Sequence, residues 1–470
     1  MKSCCEKGKI YTLIYSISGN LVNTLIIVVL LFFLPRILSL EVYGQWQLFL
    51  FYFSYVGFLH FGWEDGIYLR YAGLNYCDLD KSKLLGQVIA IIGSQCLLGI
   101  VIFSLINAFM PTGTQGDIFR FIAVALILAN TNNLFSLIFQ MTSRISDYAR
   151  IVAIEPIIFI SLVMIVFFLG ERDYKVLIYC KLASLSAVCI LGGYLLNDLR
   201  KSSIPSAAAI FYEAKDNIIV GSKMMLANIA SMLVIGIVRF GISDGWDVVT
   251  FGKISLTLSI SNFLMIFINA VSVVLLPALK HVEEELRQHL YLAGRSLLTA
   301  GMLLMLLSYY PLNGLLSLWL PQYTDALNYM AVLFPVCLFE TRMGLLVSTY
   351  LKAMRQEKLM LKINTVSVLF SVLITIFTVN IIHNLTACIV SIVIIFAFRC
   401  FFAEKILSKL LNCCLIGDIT KESIVIVVFM ISAWFIGGLA GALVYMVIFC
   451  LLYTSPSPRD LSTSRMPSSA

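Results

Sequence analysis

Residues 43–50 read YGQWQLFL, and residues 251–258 read FGKISLTL. Both follow one pattern, aromatic-Gly-x-x-x-Leu-x-Leu. Each opens the second apolar span of a six-span set, and each follows a short loop bearing a basic residue, Arg36 in one case and Arg239 in the other. Both sets start from the same side of the membrane, so they form a parallel repeat about an axis along the membrane normal. Repeats of this kind place a transported molecule between two halves, near the bilayer midplane.

The rest of the chain agrees with a membrane setting. Of its 470 residues 60% are hydrophobic and 13% charged, whereas a soluble domain is about a quarter charged. The mean hydropathy is +0.94. A spanning helix needs about 20 apolar residues. Twelve complete candidates occur, at 10–34, 43–62, 84–110, 118–141, 151–169, 176–196, 218–242, 248–276, 296–320, 326–350, 363–382 and 385–402. A thirteenth apolar stretch, 424–449, contains Gly437 and Gly438, and the pattern leaves open whether it is one span or two. The expected fold is an all-α membrane protein of two six-helix halves in parallel pseudo-repeat, 1–196 and 218–405. A truncated further hydrophobic segment follows in 406–449.

Placed on these spans, 23 Lys and Arg residues fall on one side of the membrane and six on the other. The positive-inside rule makes the richer side cytoplasmic, and with it the N-terminus. The net charge of +7 is thus a matter of orientation and gives no sign of nucleic-acid binding. The longest polar segment, 197–217, reads as a cytoplasmic linker between halves. Residues 280–295, KHVEEELRQHLYLAGR, read as a charged helix lying along the cytoplasmic surface. From Cys450 the chain reads CLLYTSPSPRDLSTSRMPSSA, which looks like the in-frame translation of a sequencing adapter. Residues 450–470 are therefore set apart from the fold, and the natural chain is expected to continue past Phe449.

Ionisable residues deep in a membrane are functional candidates, because each is costly unless paired or hydrated. Lys181, Arg239, Arg342, Glu340, Glu155 and Lys253 lie within or at the ends of apolar spans. The basic members suit a diphosphate: lysine offers a point charge, arginine a planar fork. Structural pairing is the competing reading, with Glu340 and Arg342 neutralising each other. Residues 60–73, HFGWEDGIYLRYAG, mark where the second span meets the cytoplasm. They read either as a helix exit with solvated charges or as a gate, with Glu64 or Asp65 pairing with a basic residue of the other half. Arg70 satisfies the positive-inside rule in either case.

Enzymatic and metal chemistry find little footing. No GxxxxGK[ST] phosphate loop and no GxSxG elbow occurs. The four histidines are scattered, and the twelve cysteines form no CxxC pair. The DxD form at Asp78 and Asp80 has no α/β domain around it and reads as a solvated loop. No cofactor or metal is expected. The energy source is expected to be a proton or sodium gradient or the membrane potential.

Three segments carry a likeness to a known family. They are LPRILSLEVYGQWQLF at 34–49, FGWEDGIYLRYAG at 61–73 and TYLKAMRQEKLMLKIN at 349–364. With these the chain resembles the Wzx-type flippases of the polysaccharide transporter group, in the superfamily that also holds multidrug extruders and lipid II flippases. The resemblance implies a multidrug-extruder-like fold in a bacterial inner membrane. It also implies a flippase for undecaprenyl-diphosphate-linked oligosaccharide, acting beside membrane lipids and polysaccharide polymerase machinery. A multidrug extruder of the same fold is the first alternative. A membrane O-antigen polymerase is the second, though its expected long outer loop is missing. The chain departs from the group at Val238, where an acidic partner for Arg239 is often found.

Overall fold

In the computed structural model the described residues are 21–74, 76–110, 112–263, 284–354, 356–413 and 415–453. Every regular element among them is helical. The N-terminal series is α1 (Leu21–Ile37), α2 (Leu40–Phe53), α3 (Trp63–Tyr71), α4 (Lys81–Phe109), α5 (Thr114–Met141), α6 (Ile145–Phe168) and α7 (Tyr174–Leu195). Then come α8 (Ala207–Gly245), α9 (Val248–Phe263), α10 (Glu284–Leu306), α11 (Tyr309–Trp319), α12 (Thr324–Leu333) and α13 (Val336–Ala353). The last four are α14 (Glu357–Ile376), α15 (Leu385–Leu410), α16 (Ile416–Ile431) and α17 (Gly438–Tyr453). Nine helices among the described residues are long and apolar enough to cross a bilayer, and a helix pair bent by 46° at residues 334–335 is either a tenth, broken span or a re-entrant loop.

Helix starts follow local chemistry. Ser39 caps α2, Asp80 caps α4, Asp173 caps α7 and Asn384 caps α15, each accepting a bond from a backbone N–H of the first turn. Asp80, half of the DxD pair, is thus a helix cap. Outward faces carry large apolar side chains, such as Phe168 at 85% exposure and Leu439 at 85%. These suit lipid rather than water. Between helices in lipid, packing and buried polar contacts replace the hydrophobic drive.

Several boundaries differ from expectation. The second span is broken: α2 ends at Phe53, a 3-10 turn spans Val56–His60, and Phe61 and Gly62 both have positive φ before α3 starts. The linker at 197–217 is half helical, since α8 begins at Ala207 and runs 39 residues. At 1.5 Å per residue that is about 58 Å, nearly twice the thickness of the hydrocarbon core. Residues 280–283 lie outside the described residues. From Glu284 the charged segment runs unbroken into the ninth span as α10, so it is not a separate surface helix. The open question at Gly437 and Gly438 resolves into two helices, because both glycines take positive φ. Expected residues 10–20, 264–276 and 454–470 lie outside the described residues.

Two compact units emerge: Met1–Ile229 with Asp247–Gly252, and Ala230–Trp246 with Lys253–Ala470. In the first, Ile67, Ile91, Leu134, Ile138, Phe139 and Val188 form the apolar core. Here the two motif glycines meet. A Cβ on Gly252 would lie 2.6 Å from the Gly44 Cα, so only glycine fits this crossing of α2 and α9. In the second unit Tyr291, Leu346, Leu351, Ile363, Ala403 and Leu407 form the core.

Candidate functional site

In the first unit a cavity of about 320 Å³ opens among α1, α2, α5, α6 and α7. Its polar lining is Asn23, Asn132, Asn133, Ser136, Glu155 and Lys181, beside the Phe53 ring. Asn132, Asn133 and Ser136 come from neighbouring turns of α5. Glu155 stands next to Pro156 within α6. A proline has no N–H to offer the carbonyl four residues back, and that residue, Val152, also lines the cavity. Lys181 on α7 donates to Glu155 Oε1 at 2.8 Å, and Ser184 Oγ donates to the same oxygen at 3.0 Å. The ammonium also lies 5.7 Å and 5.5 Å from the Phe53 and Phe159 ring centroids. The polar part of the cavity wall is therefore close to neutral, with the Lys181 ammonium held by a carboxylate, and the rest is apolar.

Asn133 links this cavity to α3. Its amide donates to Glu64 Oε2 at 2.7 Å. Glu64 is fully buried, and among the described residues no basic nitrogen lies within ion-pair distance of it. Asp65 has only His60, at 3.9 Å. Among the described residues neither carboxylate is paired with a lysine or arginine in this conformation. Arg70 does make such a contact, to Glu213 at 2.8 Å and Asn217 Oδ1 at 2.6 Å, both on α8. Tyr71 adds its hydroxyl to Glu213 at 2.6 Å. In the loop region Asp198 accepts from Tyr76 at 2.9 Å and Lys81 at 3.2 Å. Burial alone would raise the Asp198 carboxyl, but these donors outweigh it and hold it below the usual carboxylate range.

The second unit holds a closed ionic quartet of Arg295, Arg342, Glu404 and Glu422, drawn from α10, α13, α15 and α16. Arg295 donates from Nε to Glu404 Oε1 at 3.0 Å and from Nη1 to Glu422 Oε1 at 2.7 Å. Arg342 donates from Nε to Glu404 Oε1 at 3.1 Å, from Nη2 to Glu404 Oε2, and from Nη1 to Glu422 Oε2 at 2.7 Å. All four residues are at most 3% exposed. Arg342 is thus sealed in a neutral cluster and is no cavity base. Nor does it pair with Glu340, because residues two apart on a helix face away from each other. Glu340 lies instead 3.5 Å from Arg399. A π turn starts at Arg342, a feature that re-aims the side chains around it.

The remaining candidates make contacts of their own within the second unit. Arg239 donates to Ser255 Oγ at 3.0 Å. Lys253 lies 4.0 Å from Asp325, which is 93% exposed. Neither is among the cavity-lining residues, so only Glu155 and Lys181 of the six buried candidates meet there. The asparagines were missed, although 130–133 reads NTNN inside an apolar span.

No family model matches the chain, and no similar curated protein was found. Solved structures do match. An outward-facing multidrug resistance MATE family transporter of the MOP superfamily is 13% identical over 85% of this chain and 96% of its own, with a TM-score of 0.50. A MATE in complex with Br-NRF gives 16% identity, coverage of 85% and 95%, and a TM-score of 0.45. A MOP superfamily transporter from Pyrococcus furiosus gives 15%, 86%, 94% and 0.40. The chain has the fold of a MOP-superfamily transporter. It is a multi-pass membrane protein.

Proposed function

We propose that this chain is a flippase that moves a lipid-linked oligosaccharide from the inner to the outer leaflet of a bacterial inner membrane, with its N-terminus in the cytoplasm. The observation that carries the reading is the cavity in the first unit, where amides, a hydroxyl and a neutralised Lys181–Glu155 pair line about 320 Å³ within an apolar bundle. Amide and carboxylate groups of this kind pair with sugar hydroxyls, and a neutral wall does not reject an uncharged glycan. The three segments that resemble Wzx-type flippases support the same substrate class.

Energy is drawn from the membrane potential or from a proton or sodium gradient. An anionic headgroup leaving a negative-inside cell gains about 2.3 kcal/mol per charge per 100 mV. A polysaccharide polymerase would take the product outside. The test is glycan export in cells that depend on this gene, with Lys181→Ala and Glu155→Gln compared at equal protein level. Loss of export in both is expected; normal export from both would remove the cavity from the path.

A multidrug extruder is the second reading. The Glu155 carboxylate and the Phe53 and Phe159 rings that flank the Lys181 ammonium favour a lipophilic cation once Lys181 is displaced. It predicts raised resistance to cationic dyes on expression, which the flippase reading does not.

A further inference from the structure

Two glycines aim α3. Gly62 and Gly66 both face α8, where a Cβ on Gly62 would lie 2.6 Å from the Ser222 nitrogen and one on Gly66 would overlap the Asn217 carbonyl. Glu64 is two residues from each, about 200° round the helix, so its side chain leaves from the opposite face. There it meets α5, where Asn133 donates from Nδ2 to Glu64 Oε2 at 2.7 Å. The other oxygen, Oε1, is buried and meets no donor among the described residues. Any proton on this carboxyl would reside on that free oxygen, so Oε2 accepts from the amide in either charge state.

An amide that gives its NH₂ to Glu64 turns its carbonyl the other way. Asn133 is an exposed residue of the cavity lining, and its Oδ1 accepts no bond among the described residues. Two further acceptors share this lining. Glu155 uses only Oε1 for Lys181 and Ser184, which leaves Oε2. The Val152 carbonyl has no N–H donor in Pro156. Donors are scarcer. Asn132 is engaged in both directions, its amide on the Leu185 carbonyl at 3.2 Å and its oxygen on Cys189 Sγ at 3.3 Å. Lys181 is held by Glu155 and lies against two rings. Asn23 and Ser136 can turn to either role. The lining atoms left free with a fixed direction are therefore acceptors.

We propose that Glu64 is a positioning residue that sets sugar selectivity: by holding the Asn133 amide it makes the cavity show acceptor oxygens, and so favours neutral glycans, whose hydroxyls donate, over glycans that carry a carboxylate. The inference rests on the flippase reading and names the substrate class within it. A uronate would bring two acceptor oxygens and a negative charge against the Asn133 and Val152 carbonyls and the Glu155 carboxylate. It could reach Lys181 only as a second carboxylate beside a single ammonium. A site built for one polarity of hydrogen bond rejects a mismatched group strongly, because polar atoms are left unpaired. Glu64 touches no ligand and acts through Asn133.

The experiment is flipping by the purified full-length chain in vesicles, with two undecaprenyl-diphosphate-linked probes. One carries a trisaccharide of glucose; the other is the same molecule with its terminal residue replaced by glucuronic acid. Each bears a fluorescent tag on the sugar, quenched from outside by dithionite, and the readout is the ratio of the two initial rates. The wild type should move the neutral probe at least tenfold faster. Glu64→Met removes the acceptor and frees the amide to turn, so the ratio should fall to about threefold or less. Glu64→Gln retains an acceptor and should keep more of the preference than Glu64→Met. If Glu64→Met does not fold, Glu64→Met with Asn133→Leu stands in, since it leaves neither partner buried and unmet, and it should lose the preference as well.

A merely structural role for Glu64 would slow both probes alike and leave the ratio unchanged, which overturns the proposal. So would a Glu64→Gln ratio below that of Glu64→Met. A wild type that moves both probes equally, or the uronate faster, overturns the selectivity and leaves the flippase reading in place. A wild type that moves neither overturns both.

Discussion

Changing Glu404 to glutamine tests the ionic quartet most sharply. Glu404 accepts from Nε and Nη2 of Arg295 and from the same two nitrogens of Arg342. Glutamine keeps one acceptor oxygen and turns an NH₂ donor toward guanidinium donors. The cluster also goes from neutral to +1 in a space where no member exceeds 3% exposure. At an effective dielectric of 20, one Arg–Glu contact near 4 Å is worth about 4 kcal/mol gross. Two such contacts are lost and the Arg295–Arg342 repulsion is left unscreened. Offset by relaxation, the net cost expected for breaking a buried pair is about 3–5 kcal/mol. Removing one charge of each sign, as in Arg342→Met with Glu404→Leu, restores neutrality and should cost less than Glu404→Gln alone. The assay is denaturant or thermal unfolding of the purified protein in detergent, with the two single variants and the double forming a cycle. A coupling energy of about 2 kcal/mol or more is expected. The reasoning fails if Glu404→Gln unfolds like the wild type, or if the double variant costs the sum of the singles. Because Arg342 is not among the residues that line the cavity of the first unit, the folded double variant should also still transport.

Four further outcomes are expected. Reversing the cavity pair, Lys181→Glu with Glu155→Lys, should recover more transport than either single reversal, measured at matched protein level. Gly252→Ala should abolish transport and lower the melting temperature, since its Cβ would sit 2.6 Å from the Gly44 Cα; a fully active Gly252→Ala protein would contradict that crossing. The Asp198 carboxyl is held below its ordinary value, so its contribution is present above about pH 4 and is lost as pH falls further. Asp198→Asn should therefore melt with a flatter acid limb than the wild type, and parallel curves would show that the Tyr76 and Lys81 contacts carry no stability. A reporter active only in the cytoplasm should signal from residues 197–217 and stay silent from 321–325; the reverse would invert the orientation.

The all-helical membrane fold was legible because apolar runs of about 20 residues are a one-dimensional signal. The Gly437–Gly438 break was visible as a possibility for the same reason. Partners were not legible. Arg342 finds Glu404 and Glu422, 62 and 80 residues away, and no spacing rule reaches that far. Arg295 was placed in a surface helix at 280–295, since charge alone marks a helix end until packing shows the helix continuing. Two signals were present and unused. Glu340 and Arg342 are two apart, a spacing that rules out a face-to-face pair on a helix. The NTNN run at 130–133 places four polar side chains where an apolar span needs none, and its Asn132 and Asn133 line the cavity.

The central claim is that this chain itself carries a lipid-linked oligosaccharide across a bilayer. Its most direct test is purified protein in vesicles loaded with undecaprenyl-diphosphate-linked oligosaccharide on the inner leaflet, with the glycan's appearance outside followed by an impermeant lectin. The account predicts lectin labelling that rises with time, speeds up under an inside-negative potential and falls in Lys181→Ala and Glu155→Gln at equal protein load. Labelling no faster than in protein-free vesicles, with cationic dye moved by the same preparation, would contradict it.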